Sequence, residues 1–149
     1  EPKTIDTLFT ANVGKPKDVK GLEPGRAFVL NNIYYDWDKA TLRAESTQEL
    51  DRLVVILNEN PTVKVEISSH TDTRGSDVYN QNLSQKRANS VVTYLTNKGI
   101  KKDRFKALGA GETKPVDDCS KYTECGETRN DDCPCHQKNR RTEFKVLSN

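Results

Sequence analysis

The spacing of hydrophobic positions changes several times along the chain, and each spacing implies an element. Residues 28–35 are rich in β-branched and aromatic types, the composition of a strand. Leu50, Leu53, Val54 and Leu57 then recur at i, i+3, i+4 and i+7. That stripe predicts a helix over 43–58, stopping before Asn60-Pro61. Val63, Val65 and Ile67 alternate with Lys64, Glu66 and Ser68, as in a half-buried strand. Ala88, Val91, Val92 and Leu95 form a second helical stripe, with Ser84 as its expected N-cap and Gly99 as its stop. A third strand is expected over 105–110. A fourth is expected over 142–147, with Phe144 and Val146 on one face.

The order is β-α-β-α-β-β, an α+β sandwich with helices packed on one face of a small mixed sheet. A helical crossover makes the first two strands parallel. Residues 1–25 are polar and punctuated by Gly14, Pro16, Gly21, Pro24 and Gly25. They read as a linker or extended N-terminal arm, or as simple disorder, ahead of a domain at 26–149.

Composition narrows the function classes. The chain has 149 residues, 33% hydrophobic and 31% charged, enough for one modest core under a solvated surface. Its 24 basic and 22 acidic residues nearly balance, which argues against a nucleic-acid partner. No apolar run approaches the roughly 18 to 20 residues of a membrane span, and the start Glu1-Pro2-Lys3 is not a signal peptide.

Cys119, Cys125, Cys133 and Cys135 are the only cysteines and sit in one polar stretch. An even count there favours disulfides formed in an oxidising compartment. A metal site using these cysteines and His136 is the rival, but the spacing C-x5-C-x7-C-x-C-H matches no usual paired zinc pattern. No metal or other cofactor is expected. Asp36-x-Asp38 hints at a calcium loop, yet Thr41 stands where the loop needs Gly and Thr47 where it needs Glu. His70 and Asp72 are a close pair without a third ligand nearby, so no hydrolase is expected either.

Asp36 and Asp38 fall just past the first strand, and Asp72 just past the second. In parallel units the crevice outside those ends is the usual ligand position. With Ser84 as N-cap, Lys86 and Arg87 would occupy the first helical turn, where cations are disfavoured. A local rule broken this way often marks a functional site. Arg87 with the helix N-terminus would hold a carboxylate, and Asp72 an ammonium. Together they suit a zwitterion, the amino-acid end of a ligand. A plain Asp72–Arg87 salt bridge is the competing reading.

Several spaced motifs carry a family resemblance. His70-Thr71-Asp72-Thr73-Arg74-Gly75, Asn80, Leu83-Ser84, Arg87-Ala88 and Val91 resemble the signature of the OmpA C-terminal-like family, which includes peptidoglycan-associated lipoproteins and flagellar stator proteins. Tyr34-Tyr35-Asp36-Trp37-Asp38-Lys39-Ala40-Thr41-Leu42 resembles the family's entry motif. Gly109-Ala110-Gly111-Glu112, Pro115 and Asn139-Arg140-Arg141 match in turn, so the resemblance spans about 28–147.

The resemblance implies a non-catalytic module that anchors the outer membrane to the cell wall by gripping the diaminopimelate of peptidoglycan stem peptides. Asp72 would take the ammonium and Arg87 the carboxylate. Asp36, Trp37, Thr71, Asn80 and Leu83 would line the pocket, although Asn80 could instead orient the loop and Leu83 could be core. Arg140 and Arg141 could touch the glycan or stem peptide, or serve the fold. The implied location is the periplasmic face of a Gram-negative outer membrane, with a tether preceding residue 1. A periplasmic protein-interaction module is the alternative.

The departure from the family pattern is a cysteine-bearing insert at 116–138, which resembles the Bacteroidetes branch. A Cys133–Cys135 link would be strained, so bridges from Cys119 and Cys125 to that pair are expected, nested or crossed. Reduction is expected to loosen the insert and spare the pocket.

Overall fold

A computed structural model of the chain describes residues 22–30, 33, 40–73, 75–116, 118–119 and 134–149. Four strands, β1 (Ala27–Leu30), β2 (Lys64–His70), β3 (Phe105–Gly111) and β4 (Arg141–Ser148), form one sheet in the order β1-β4-β2-β3. Helix α1 (Ala44–Glu59) joins β1 to β2, and α2 (Asp77–Asn97) joins β2 to β3. A short α3 (Pro134–Asn139) precedes β4, and a 3-10 turn (Lys102–Arg104) precedes β3. β2 pairs with β3 parallel and with β4 antiparallel, and β4 pairs with β1 antiparallel. β1 and β2 therefore run the same way, as the crossover implies, but β4 lies between them. None of the described helices is long and apolar enough to cross a membrane.

Strand periodicity puts one residue in two on the inner face. Phe28 and Leu30 of β1, Val65 and Ile67 of β2, and Phe144 and Val146 of β4 share that face and are buried. The Phe28 and Phe144 rings stack with centroids 4.9 Å apart. Leu50, Leu53, Ile56 and Leu57 of α1 and Val91 and Leu95 of α2 close the same core. Both helical stripes thus face the sheet. Arg104 ties the bottom together, donating to the carbonyls of Val63, Leu57 and Asn60 at 3.0, 2.9 and 2.7 Å.

Helix α2 contacts the edge strand β3 differently, through polar groups. Gln81 and Gln85 donate to the carbonyls of Gly109 and Ala107. The amides of Gly109 and Gly111 donate to Gln85 Oε1 and Ser84 Oγ, both at 2.9 Å. Three side chains thereby satisfy four backbone groups that this edge strand would otherwise leave open, which blunts that part of the edge. Such contacts require close approach: a Cβ on Gly109 would lie 2.3 Å from the Gln85 backbone nitrogen.

Two element boundaries differ from the sequence reading. β1 ends at Leu30, and Ile33 lies outside any strand, where a strand over 28–35 is expected. Helix α2 starts at Asp77, seven residues before Ser84, which is fully buried inside the helix. Its N-cap is Ser76, whose side chain accepts from the Tyr79 amide at 3.2 Å. The early turns bury Asn80 and Ser84 rather than apolar residues, so hydrophobic periodicity does not register them. Described residues ahead of 26 also join the fold. Leu22 is 2% exposed within the core, and the Gly25 amide donates to the Val146 carbonyl at 2.8 Å. Residues 1–21 lie outside the described residues.

Candidate functional site

At the top of the sheet β2 ends in His70, and Thr71 and Asp72 follow. The Thr71 amide donates to the Gly111 carbonyl at 2.8 Å, which carries the ladder one step past the strand. Thr71 and Asp72 are 7% and 5% exposed. Asn80, one turn into α2, is 3% exposed and donates its side-chain amide to the Asp72 main-chain carbonyl at 3.3 Å. The orienting role weighed for Asn80 is therefore present. Gly75 makes the turn with φ +98°, and a Cβ there would lie 3.4 Å from the Asn80 side chain. The Thr71 hydroxyl is buried without a hydrogen-bond partner among the described residues.

Charge concentrates around this corner. Arg140 Nη1 donates to Asp72 Oδ2 at 2.7 Å, with the Arg140 side chain 28% exposed. Glu112, at the end of β3, faces Asp77 in the first turn of α2. The hydrogen bond to Asp77, then burial, then the charges of Asp77 and Asp72, push the Glu112 carboxyl above its ordinary range, opposed by a hydrogen bond from Asn80. Three carboxylates thus share a corner with one arginine bonded to the most buried of them.

This corrects the expected anion site. The first turn of α2 holds Asp77, the stabilising choice for a helix N-terminus, and not Lys86 and Arg87. Arg87 is the eleventh residue of α2 and half-buried. The broken local rule that singled it out is absent, and the helix start is already complemented by Ser76 and Asp77. Leu83 is half-buried and is not part of the main core cluster. Asp36 and Trp37 lie outside the described residues. Arg140, left open between ligand and fold, is the residue that sequence reasoning undervalued, because its contact with Asp72 spans 68 positions.

The insert is tied at its base. Cys119 and Cys135 form a disulfide with Cα atoms 5.6 Å apart, one of the pairings expected; Cys125 and Cys133 lie outside the described residues. Asn139, 1% exposed, accepts from the Val116 amide at 2.8 Å and donates to Cys119 Sγ at 3.3 Å. Arg140 follows directly and reaches Asp72. The base of the insert is therefore joined to the Asp72 corner through Arg140, where the sequence reading sets the two apart.

His70 lies on the opposite sheet face, 4% exposed. Its Nε2 is 3.2 Å from Ser68 Oγ and 3.8 Å from Glu143 Oε2, and Arg141 holds Glu143 at 2.6 Å. Burial first, then the Arg141 charge, lowers its pKa to about 4, with Glu143 opposing and Lys114 adding to the shift. The unfolded chain takes this proton near pH 6.5 and the folded chain only near 4. Stability from neutral His70 is thus complete above pH 6.5 and is lost as pH falls towards 4. We expect the drop in unfolding free energy between pH 7 and pH 4.5 to be about 2 kcal/mol smaller in His70→Gln. Urea titrations of both proteins measure it, and parallel pH profiles would contradict it.

The comparisons with known proteins bear on this fold and corner directly. Residues 34–129 match the model of the OmpA family. The chain belongs to the OmpA family. It is 35% identical over 127 residues to outer membrane protein A of Serratia marcescens, covering 84% of this chain and 35% of that protein. Across the curated relatives it matches, the chain spans between 14% and 37% of their length. Among solved structures it resembles the peptidoglycan-associated lipoprotein from Burkholderia pseudomallei, with TM-score 0.59, 25% identity, and 77% and 86% of the two chains covered. It also resembles the cell wall anchor of the T6SS from Pseudomonas aeruginosa, with TM-score 0.61, 25% identity, and 83% and 80% covered.

Proposed function

We propose that this OmpA-family domain anchors an outer-membrane component to the cell wall, by holding the diaminopimelate residue of peptidoglycan stem peptides. The observation that carries the reading is Asp72: a buried carboxylate at a strand end, with its backbone fixed by Asn80. Two more carboxylates, Asp77 and Glu112, deepen the negative potential around it. Such a corner attracts an ammonium group, and the Thr71 hydroxyl, without a partner among the described residues, offers a further polar contact. Helical side chains lean towards the helix N-terminus, so the patch that Arg87 covers lies over the turn of Leu83 and Ser84, towards Asn80. From there a guanidinium reads the ligand's carboxylate. The family pattern assigns Asp36 and Trp37 to the same ligand. No step of catalysis is involved; the work is binding, at the periplasmic face of the outer membrane. Kinship with a peptidoglycan-associated lipoprotein and a cell wall anchor supports the same reading.

Titration with stem peptides tests it. Lysine lacks the second carboxylate, so a lysine-type peptide satisfies Asp72 and gives up the carboxylate contact to the half-buried Arg87. Sites built around a polar group reject the analogue lacking it. We expect lysine-type peptides to bind about 30-fold more weakly than diaminopimelate-type ones, about 2 kcal/mol. The gap should narrow in Arg87→Ala. Equal binding of the two peptides would remove the carboxylate role of Arg87. Binding of neither would favour a protein-interaction module.

A further inference from the structure

We propose that Arg140 is a positioning residue of this pocket: clamped by the disulfide-linked base of the insert, it keeps the Asp72 carboxylate ionised and aimed for a cationic ligand. The inference rests on the anchoring reading only for the identity of that ligand. Its physical basis is a problem of charge. Asp72 is nearly buried, and Glu112 from the end of β3 and Asp77 from the first turn of α2 face the same corner. Burial and like charge each favour the neutral acid. A neutral Asp72 would offer an ammonium only a weak dipole. Arg140 Nη1, 2.7 Å from Asp72 Oδ2, supplies the opposing charge-assisted bond from the start of β4. Lys86 and Arg87 lie further along α2, and Arg141 next in the chain is engaged with Glu143.

What places Arg140 there is the insert. Its backbone amide donates to the His136 carbonyl at 3.0 Å, so Arg140 ends the turn of α3. Helix α3 carries Cys135, bonded to Cys119, and Asn139, which bridges to Val116 and Cys119. On the other side Arg141 donates to the Lys114 and Asn139 carbonyls at 2.9 and 3.3 Å. Both ends of the insert are thus pinned together beneath Arg140. A six-residue helix has little stability of its own, since nucleation is costly and tertiary contacts must hold it. Opening the bridge releases the segment that fixes Arg140, and the state of the cysteines is felt at Asp72.

The test follows the Asp72 carboxyl by carbon NMR across a pH titration of the whole chain, without ligand. In Arg140→Ala the Asp72 titration should move up by about one pH unit or more. Arg140→Lys keeps the charge and should return most of that shift, an outcome a merely structural role would not give. Reduction with dithiothreitol should move Asp72 in the same direction as Arg140→Ala. In parallel, the acid limb of diaminopimelate-peptide binding should move up in Arg140→Ala by the same amount. An unmoved Asp72 titration in folded Arg140→Ala would overturn the proposal, and an unmoved titration after reduction would overturn the role of the clamp. Asp72 is followed without ligand, so failure of the unmodified domain to bind stem peptide would sink the anchoring reading by itself.

Discussion

Gly109→Ala should lower the unfolding free energy by about 3 kcal/mol, although it adds a single methyl group. The new Cβ would lie 2.3 Å from the Gln85 nitrogen, 2.6 Å from its Cα and 2.8 Å from its Cβ. The first two atoms are helix backbone, and no rotamer change moves them aside. Helix α2 must lift from β3, and lifting breaks the contacts that Gln81, Ser84 and Gln85 make with the strand. Those contacts cap an edge, so their loss also exposes β3 to pairing with other chains. Gly99→Ala is the comparator. Its φ of +96° costs an L-residue about 1 to 2 kcal/mol, but nothing lies within 4 Å of the added carbon. Urea unfolding with the disulfide intact should therefore rank Gly109→Ala well below Gly99→Ala. The reverse order would mean that α2 slides on β3 easily, and that the glutamine contacts do not hold it.

The elements visible in the sequence are those whose stability comes from apolar burial. Leu50, Leu53 and Leu57 define α1 to within a residue or so, because a 3.6-residue stripe has one geometric solution. Val65 and Ile67 define β2, and Phe144 and Val146 define β4, for the same reason at a period of two. The first two turns of α2 were not legible. They bury Asn80 and Ser84, which earn their places by hydrogen bonds to Asp72 and Gly111, partners far away in sequence. A polar residue buried for a distant partner carries no periodic signal. The sheet order was illegible for a related reason. Helical crossovers fix strand direction, but nothing in the spacing says that β4 inserts between β1 and β2.

The site divides along the same line. Asp72 was legible from its place after a strand, since strand ends collect ligand groups. The surrounding family motifs were legible as a resemblance, and membership of the OmpA family follows from the match over 34–129. With the N-cap at Ser76 and not at Ser84, helix-start electrostatics do not single out Arg87. Arg87 now stands on the family pattern and on its position along α2. The Asp72–Arg140 contact and the Asp77–Glu112 pair come from chain crossings that only the fold brings about.

Asp72→Ala and Arg87→Ala should each abolish retention on purified sacculi while the fold persists. For Asp72 the fold argument is specific. Asn80 bonds the main-chain carbonyl of residue 72, and the Thr71 amide bonds Gly111, so neither tie is lost when the carboxylate goes. Arg140 loses a partner but is 28% exposed, and water can take over the guanidinium. The binding cost is larger. Removing the carboxylate deletes a charge-assisted contact and leaves the ligand's ammonium in a closed corner, about 2 to 4 kcal/mol. That is roughly 30- to 1,000-fold in affinity, enough to clear a pull-down. Arg87→Ala should cost a similar amount through the ligand carboxylate. Asp72→Asn separates charge from shape: the amide fills the same space but offers an ammonium no negative charge, and it should bind almost as poorly as Asp72→Ala. Circular dichroism and the urea midpoint establish that each variant is folded. Retention of any folded Asp72 variant at the level of the unmodified domain would place the wall-binding surface elsewhere on the molecule.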